Sequence, residues 1–107
     1  MTSDKFTVLY SFRIKEGKEE AFIDSWSEMT QLIYEYEGSY GARLHKAYDN
    51  FYIAYAQWPN RKSWESSGTK LPPSAKAVRQ QLFESCIEIK TDYELKIVKD
   101  LLYEDFY

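Results

Sequence analysis

Only one cysteine, Cys86, and one histidine, His45, occur in the 107 residues. A lone cysteine closes no intramolecular disulfide, and small secreted domains usually carry several, so a reducing compartment is implied. One Cys and one His also leave too few soft ligands for a zinc site, and no metal is expected. Four Gly and three Pro exclude collagenous or low-complexity character. No stretch approaches the ~20 apolar residues needed to cross a bilayer. Residues 1–5 lead straight into an alternating segment, without the apolar core of an export signal. The expectation is a soluble, cytoplasmic protein with no membrane partner. Charge is not clustered either: 14 Lys+Arg oppose 17 Asp+Glu for a net charge of −3. A sequence-independent grip on nucleic acid needs clustered cations that release counterions, so no nucleic-acid partner is expected.

What is plentiful is aromatic surface: 10 Tyr, 6 Phe and 3 Trp. Disordered chains are poor in aromatics, so disorder is excluded. The length suits one domain over residues 1–107, with its core over about 5–102 and an aromatic, acidic tail over 103–107. That tail either frays or reaches over a partner.

Residues 5–14 alternate Phe6, Val8, Tyr10 and Phe12 with Thr7, Leu9, Ser11 and Arg13, the period of a strand. After the Lys15-Glu16-Gly17 turn, Phe22, Trp26, Met29, Ile33 and Tyr36 recur at spacings of four and three. That places them on one stripe of a helix over 18–36, stopped by Gly38. Residues 39–47 read as a second strand, and Asp49-Asn50 as a turn. Residues 51–58 form an apolar third strand whose two faces both read as buried. Asn60 can cap a short helix over 61–67, closed by Gly68. Pro73 suits the start of a helix running to about 85, with Ala75, Val78, Leu82 and Phe83 inward. Residues 93–102 read as the last strand.

The order β-α-β-β-α-β is the ferredoxin-like α+β arrangement, a four-stranded antiparallel sheet with helices on one face. Neither face of the third strand suits solvent, so the open side of the sheet needs a cover. A second copy of the chain is the simplest one, and a homodimer through the sheet face is expected.

Three segments resemble one family. Residues 6–22 (FTVLYSFRIKEGKEEAF), 38–45 (GSYGARLH) and 52–64 (YIAYAQWPNRKSW) look like the strands and helix starts of the antibiotic biosynthesis monooxygenase domain. The likeness runs over about residues 6–102. It implies a dimeric α+β barrel. It also implies a cofactor-independent monooxygenase acting on phenolic or quinol-type aromatic rings. Some members use an Asn and a Trp four residues later, positions matched by Asn60 and Trp64. The Tyr that can follow is replaced by Lys70. The haem-degrading branch uses an Asn on the first strand and a His before the last, and neither is present here. No cofactor is implied.

Asn60 and Trp64 also have a purely structural explanation. Asn is a strong N-cap, and Trp64 falls where an apolar side chain staples back onto Pro59 or Trp58. As site residues, Trp64 would stack on a ring and the Asn60 amide would bond an oxygen. His45 suits a general base near neutral pH. Arg43 lies two residues earlier, hence on the same strand face, and could hold a phenolate. Both also suit a dimer interface, where Arg is enriched. Trp26, Tyr36, Trp58 and Phe83 are the candidate ring-binding residues. The alternative is a non-catalytic dimeric α+β barrel that binds an apolar or aromatic ligand or acts as an accessory subunit. An RNA-recognition module has the same strand order, and Phe51, Tyr52 and Tyr55 would supply its stacking aromatics. Asp49-Asn50 before them and the negative charge argue against it.

Overall fold

Phe6 stands opposite Trp58 and Arg13 opposite Phe51, so the first strand, β1 (Phe6–Ile14), pairs antiparallel with β3 (Phe51–Trp58) along its length. On its other side β1 pairs antiparallel with β4 (Cys86–Lys96). β2 (Gly41–Tyr48) flanks β3, giving the sheet order β2-β3-β1-β4. The structure is a computed structural model, and it describes residues 5–103. Of the expected tail only Tyr103 falls within it, and residues 104–107 lie outside the described residues.

α1 (Glu19–Glu37) opens with two acidic residues in its first turn, where the helix dipole favours anions. It ends at Gly38, whose φ of 79° is a left-handed cap conformation that side chains resist. α2 (Arg61–Glu65) is a single capped turn, and α3 (Ala75–Glu84) packs beside α1. Both long helices cover one face of the sheet. There Phe12, Ile14, Tyr52 and Ala54 meet Phe22 of α1 and Leu82 of α3. Phe6, Val8, Ala56 and Trp58 form a second cluster, with Ile33 and Trp64 against it. Met29 packs on Ala75 and Val78.

Two carboxylates at opposite ends of α1 tie loops to this layer. Glu19 accepts from the Tyr52 hydroxyl at 2.7 Å, from Lys46 Nζ at 3.0 Å and from the Asn50 backbone N–H. Asn50 sits at a positive φ of 62° in the β2–β3 turn. Glu37, buried, accepts from the backbone N–H groups of Gly68 and Lys70 and so anchors the α2–α3 loop.

The ferredoxin-like α+β order is as the sequence implies, with three differences. The last strand starts seven positions earlier than residue 93 and stops at Lys96. The 86–89 segment continues directly from α3 and pairs with Phe12, Arg13 and Ile14, while Leu101 and Leu102 lie beyond the sheet. β3 is fully buried on one face only. Tyr52, Ala54, Ala56 and Trp58 are buried under the helices, whereas Phe51, Ile53, Tyr55 and Gln57 are half-buried. Among the described residues no helix or strand covers the outer face, and its large apolar side chains include Tyr93, 63% exposed. Phe83 is not inward but more than half exposed, at the end of α3.

Candidate active site

Between the helices and the sheet lies a cavity of about 190 Å³. Its floor is made of Ala42, Ala54 and Ala56 on β2 and β3. Ala42 and Ala56 face each other in register, and Ala54 faces Tyr10 of β1. Methyl groups at three adjacent sites leave a hollow where larger side chains would close the layer. Trp26, Met29 and Ile33 of α1 and Leu82 of α3 wall it, and Phe83 forms its rim. Trp58 also lines it.

The lining is almost entirely apolar, so its few polar atoms define what it can bind. The Trp58 indole N–H is buried and has no hydrogen-bond partner among the described residues. Tyr10 lines the cavity, and its hydroxyl oxygen accepts the Trp64 indole N–H at 2.7 Å. Burial pushes the Tyr10 phenol above its ordinary value, and the Trp64 bond partly opposes that by favouring the phenolate. Tyr10 is therefore a neutral hydroxyl near pH 7. The Ser39 hydroxyl is already used, accepting from Gly41 N–H at 2.8 Å.

Trp64 is half-buried and does not line the cavity itself. Its ring leans on Phe6, with centroids 5.5 Å apart. Phe6 also lies beneath the Arg61 guanidinium, which pairs with Glu94 at 2.6 Å. Asn60 is exposed and caps α2. Its Oδ1 accepts from the Ser63 backbone N–H at 2.8 Å and from the Ser63 hydroxyl at 3.0 Å.

Arg43 and His45 share a face, as alternation requires, but it is the outer face of the sheet. They line a second groove with Leu9, Tyr55 and the segment 97–102. The sheet separates them from Trp26, Trp58 and Phe83, so the residues singled out from sequence do not converge on one point. Tyr36 stands outside the cavity, half-exposed, because the last turn of α1 rotates it away and buries Glu37 instead. Tyr10 was not singled out. Its signal was a hydroxyl-bearing ring within an otherwise apolar row of β1.

Cys86 is buried, and burial pushes its thiol up to about 11, so it is inert as a nucleophile at neutral pH. Among the described residues no group of three His, Cys, Asp or Glu side chains gathers as a metal site. No helix there is long and apolar enough to cross a membrane.

The fold has close relatives in known structures. SnoaB, a cofactor-independent oxygenase from Streptomyces nogalater, superposes with a TM-score of 0.73 at 15% identity. The match covers 92% of this chain and 98% of that one. Rv0793 from Mycobacterium tuberculosis gives 0.70 at 13% identity, covering 92% and 99%. A dimeric protein of unknown function and ferredoxin-like fold from Bacteroides fragilis gives 0.66 at 10% identity, covering 91% and 100%. At such identities these likenesses show the fold alone. No curated protein sequence matches significantly. Residues 5–70, well over half of the chain, match the family model of the antibiotic biosynthesis monooxygenases. The chain belongs to the antibiotic biosynthesis monooxygenase family.

Proposed function

We propose that the protein is a small monooxygenase that oxidises a phenolic or quinol-type ring with O2 and without a cofactor. One observation carries this reading: a family member has an aromatic-walled apolar cavity of about 190 Å³ against its sheet. An apolar cavity of about 150 Å³ holds benzene, so this one takes a substituted ring. In such chemistry the ring itself supplies electrons to O2, and the protein supplies a dry pocket and donors for the developing oxyanion. Trp26, Trp58 and Phe83 would hold the ring, and Trp64 would act through Tyr10. Asn60 would serve by holding the helix turn that carries Trp64. SnoaB, of the same fold, is a cofactor-independent oxygenase.

The functional unit in this reading is a homodimer. Leu9, Ile53, Tyr55, Tyr93 and Leu95 put apolar surface on the uncovered sheet face, and a second copy would cover it together with Arg43 and His45. The fold relative from Bacteroides fragilis is dimeric. A single buried thiol suits the reducing cytoplasm.

A second reading, a non-catalytic dimeric barrel that holds an aromatic ligand, is favoured by one observation. Among the described residues Tyr10 is the only titratable group lining the cavity, so none of them stands as a general base beside a bound phenol. Oxygen uptake separates the two. The purified protein is given a panel of hydroquinones and anthrone-like phenols, without cofactor, in an O2 electrode. Uptake above the spontaneous rate is the expected result. Uptake at the spontaneous rate for every compound would overturn the oxygenase reading and leave the binding one.

A further inference from the structure

We propose that the cavity selects its ligand by an oxygen acceptor, which the Tyr10 hydroxyl binds, and that Trp64 positions that hydroxyl. The inference rests on the cavity being the ligand site argued above, not on any oxygen chemistry.

An indole N–H can only donate. In the Trp64–Tyr10 bond, Tyr10 is therefore the acceptor, and its own proton is not committed. Among the described residues no protein acceptor takes that proton. A hydroxyl that accepts a hydrogen bond becomes a stronger donor in turn, because the two bonds polarise one another. Tyr10 lies on the cavity wall. Trp58, also on that wall, carries a second N–H that is buried without a partner. Buried donors are almost always satisfied, so the buried Trp58 N–H, with the half-buried Tyr10 hydroxyl on the same lining, points to an acceptor oxygen in the hollow. Among the described residues no carboxylate or histidine lines the cavity to supply one, and the other side-chain oxygens on its lining are the hydroxyls of Thr30 and Ser39.

The ligand class follows. It is a flat, mostly apolar molecule with a carbonyl or phenolate oxygen on its edge. A hydrocarbon of the same shape fills the hollow but leaves the donors unpaired. Sites built to hydrogen-bond a ligand group discriminate strongly against analogues that lack it. Tyr10 is the specificity-determining group here, and Trp64 is a positioning residue that acts on the ligand through its bond to Tyr10.

The test uses a matched pair of probes, 1-indanone and indane, which share a skeleton and differ by the carbonyl oxygen. Binding to the full-length protein is measured by calorimetry. Tyr10→Phe is expected to weaken 1-indanone about fivefold, the worth of one ordinary hydrogen bond. Indane should bind as before. Trp64→Phe should weaken 1-indanone about twofold, again sparing indane, since only the polarisation of the hydroxyl is lost. Equal losses for both probes would mean a packing role and overturn the proposal. Failure of either probe to bind the unaltered protein would overturn it as well. Should Tyr10→Phe fail to fold, the infrared carbonyl band of 1-indanone bound to the unaltered protein decides. A shift to lower frequency relative to hexane supports the bond, and an unshifted band refutes it. None of these measurements needs O2. A protein that separates the probes but consumes no oxygen would lose the oxygenase reading and keep this one.

Discussion

The Tyr52 hydroxyl donates to the Glu19 carboxylate at 2.7 Å, tying the second residue of β3 to the first turn of α1. That bond is the main reason the Glu19 carboxyl is held below its ordinary range, and the Asn50 N–H and Lys46 add to it. A carboxylate whose value falls on folding lends stability above its unfolded value. That stability is lost as pH drops through the folded value. Glu19→Gln should therefore flatten the acid limb of the melting temperature, measured below pH 4.5, the ordinary glutamate value. Identical acid limbs for the two proteins would remove Glu19 from the account.

Tyr10 carries the opposite sign. Burial raises its phenol above the usual tyrosine range, so its contribution is complete below that range and falls away as pH rises through the folded value. The Trp64 bond favours the phenolate, so Trp64→Phe should raise the Tyr10 value further. Titration of the ring carbon next to the hydroxyl, by 13C NMR on tyrosine-labelled protein, reads this directly. A lowered or unchanged value would contradict the assigned direction of the bond.

Asn60 already spends its side-chain oxygen on Ser63. Asn60→Ala should cost about 1 kcal/mol in urea denaturation, the worth of a typical N-cap, and Asn60→Asp should restore most of it. If stability were unchanged while oxygen uptake vanished, the amide would belong to the chemistry and not to the helix.

The outer sheet face supplies a fourth test. Ile53 stands at its centre, in register with Ser11 on one side and His45 on the other. Sedimentation equilibrium should give twice the monomer mass for the unaltered protein. Ile53→Lys, which places a charge on that face, should give the monomer. A monomeric unaltered protein would end the dimer argument.

Much of the fold could be read along the chain because its signals are local. The alternation of Phe6, Val8 and Phe12 marks β1, and Gly38 stops α1 through its own backbone freedom. The end of the chain misled for the same local reason. Val98, Leu101 and Leu102 look like a strand, but β4 is chosen by pairing with β1, which lies some 80 positions away in sequence. The site was less legible. Alternation places Arg43 and His45 together, yet a period of two cannot tell the covered face of a sheet from the open one. Trp64 and Tyr10 are 54 positions apart, and nothing near either residue announces the other. Trp58 stands among the ring-binding candidates from sequence, but only its neighbours reveal that its N–H has no partner among the described residues.

The alanines of the cavity floor have a consequence for how this protein can change. Ala42, Ala54 and Ala56 carry no chemistry, yet they set the room a ligand has. Tyr10 and Trp58 set its polarity, and Trp64 acts on it through Tyr10. Size and polarity are thus two separate dials. One base change in a codon turns alanine to valine or glycine, narrowing or widening the hollow while the donors stay in place. Descendants of such a chain can move from one ring system to another by floor substitutions alone, and the polar groups would persist as a common signature across differing appetites.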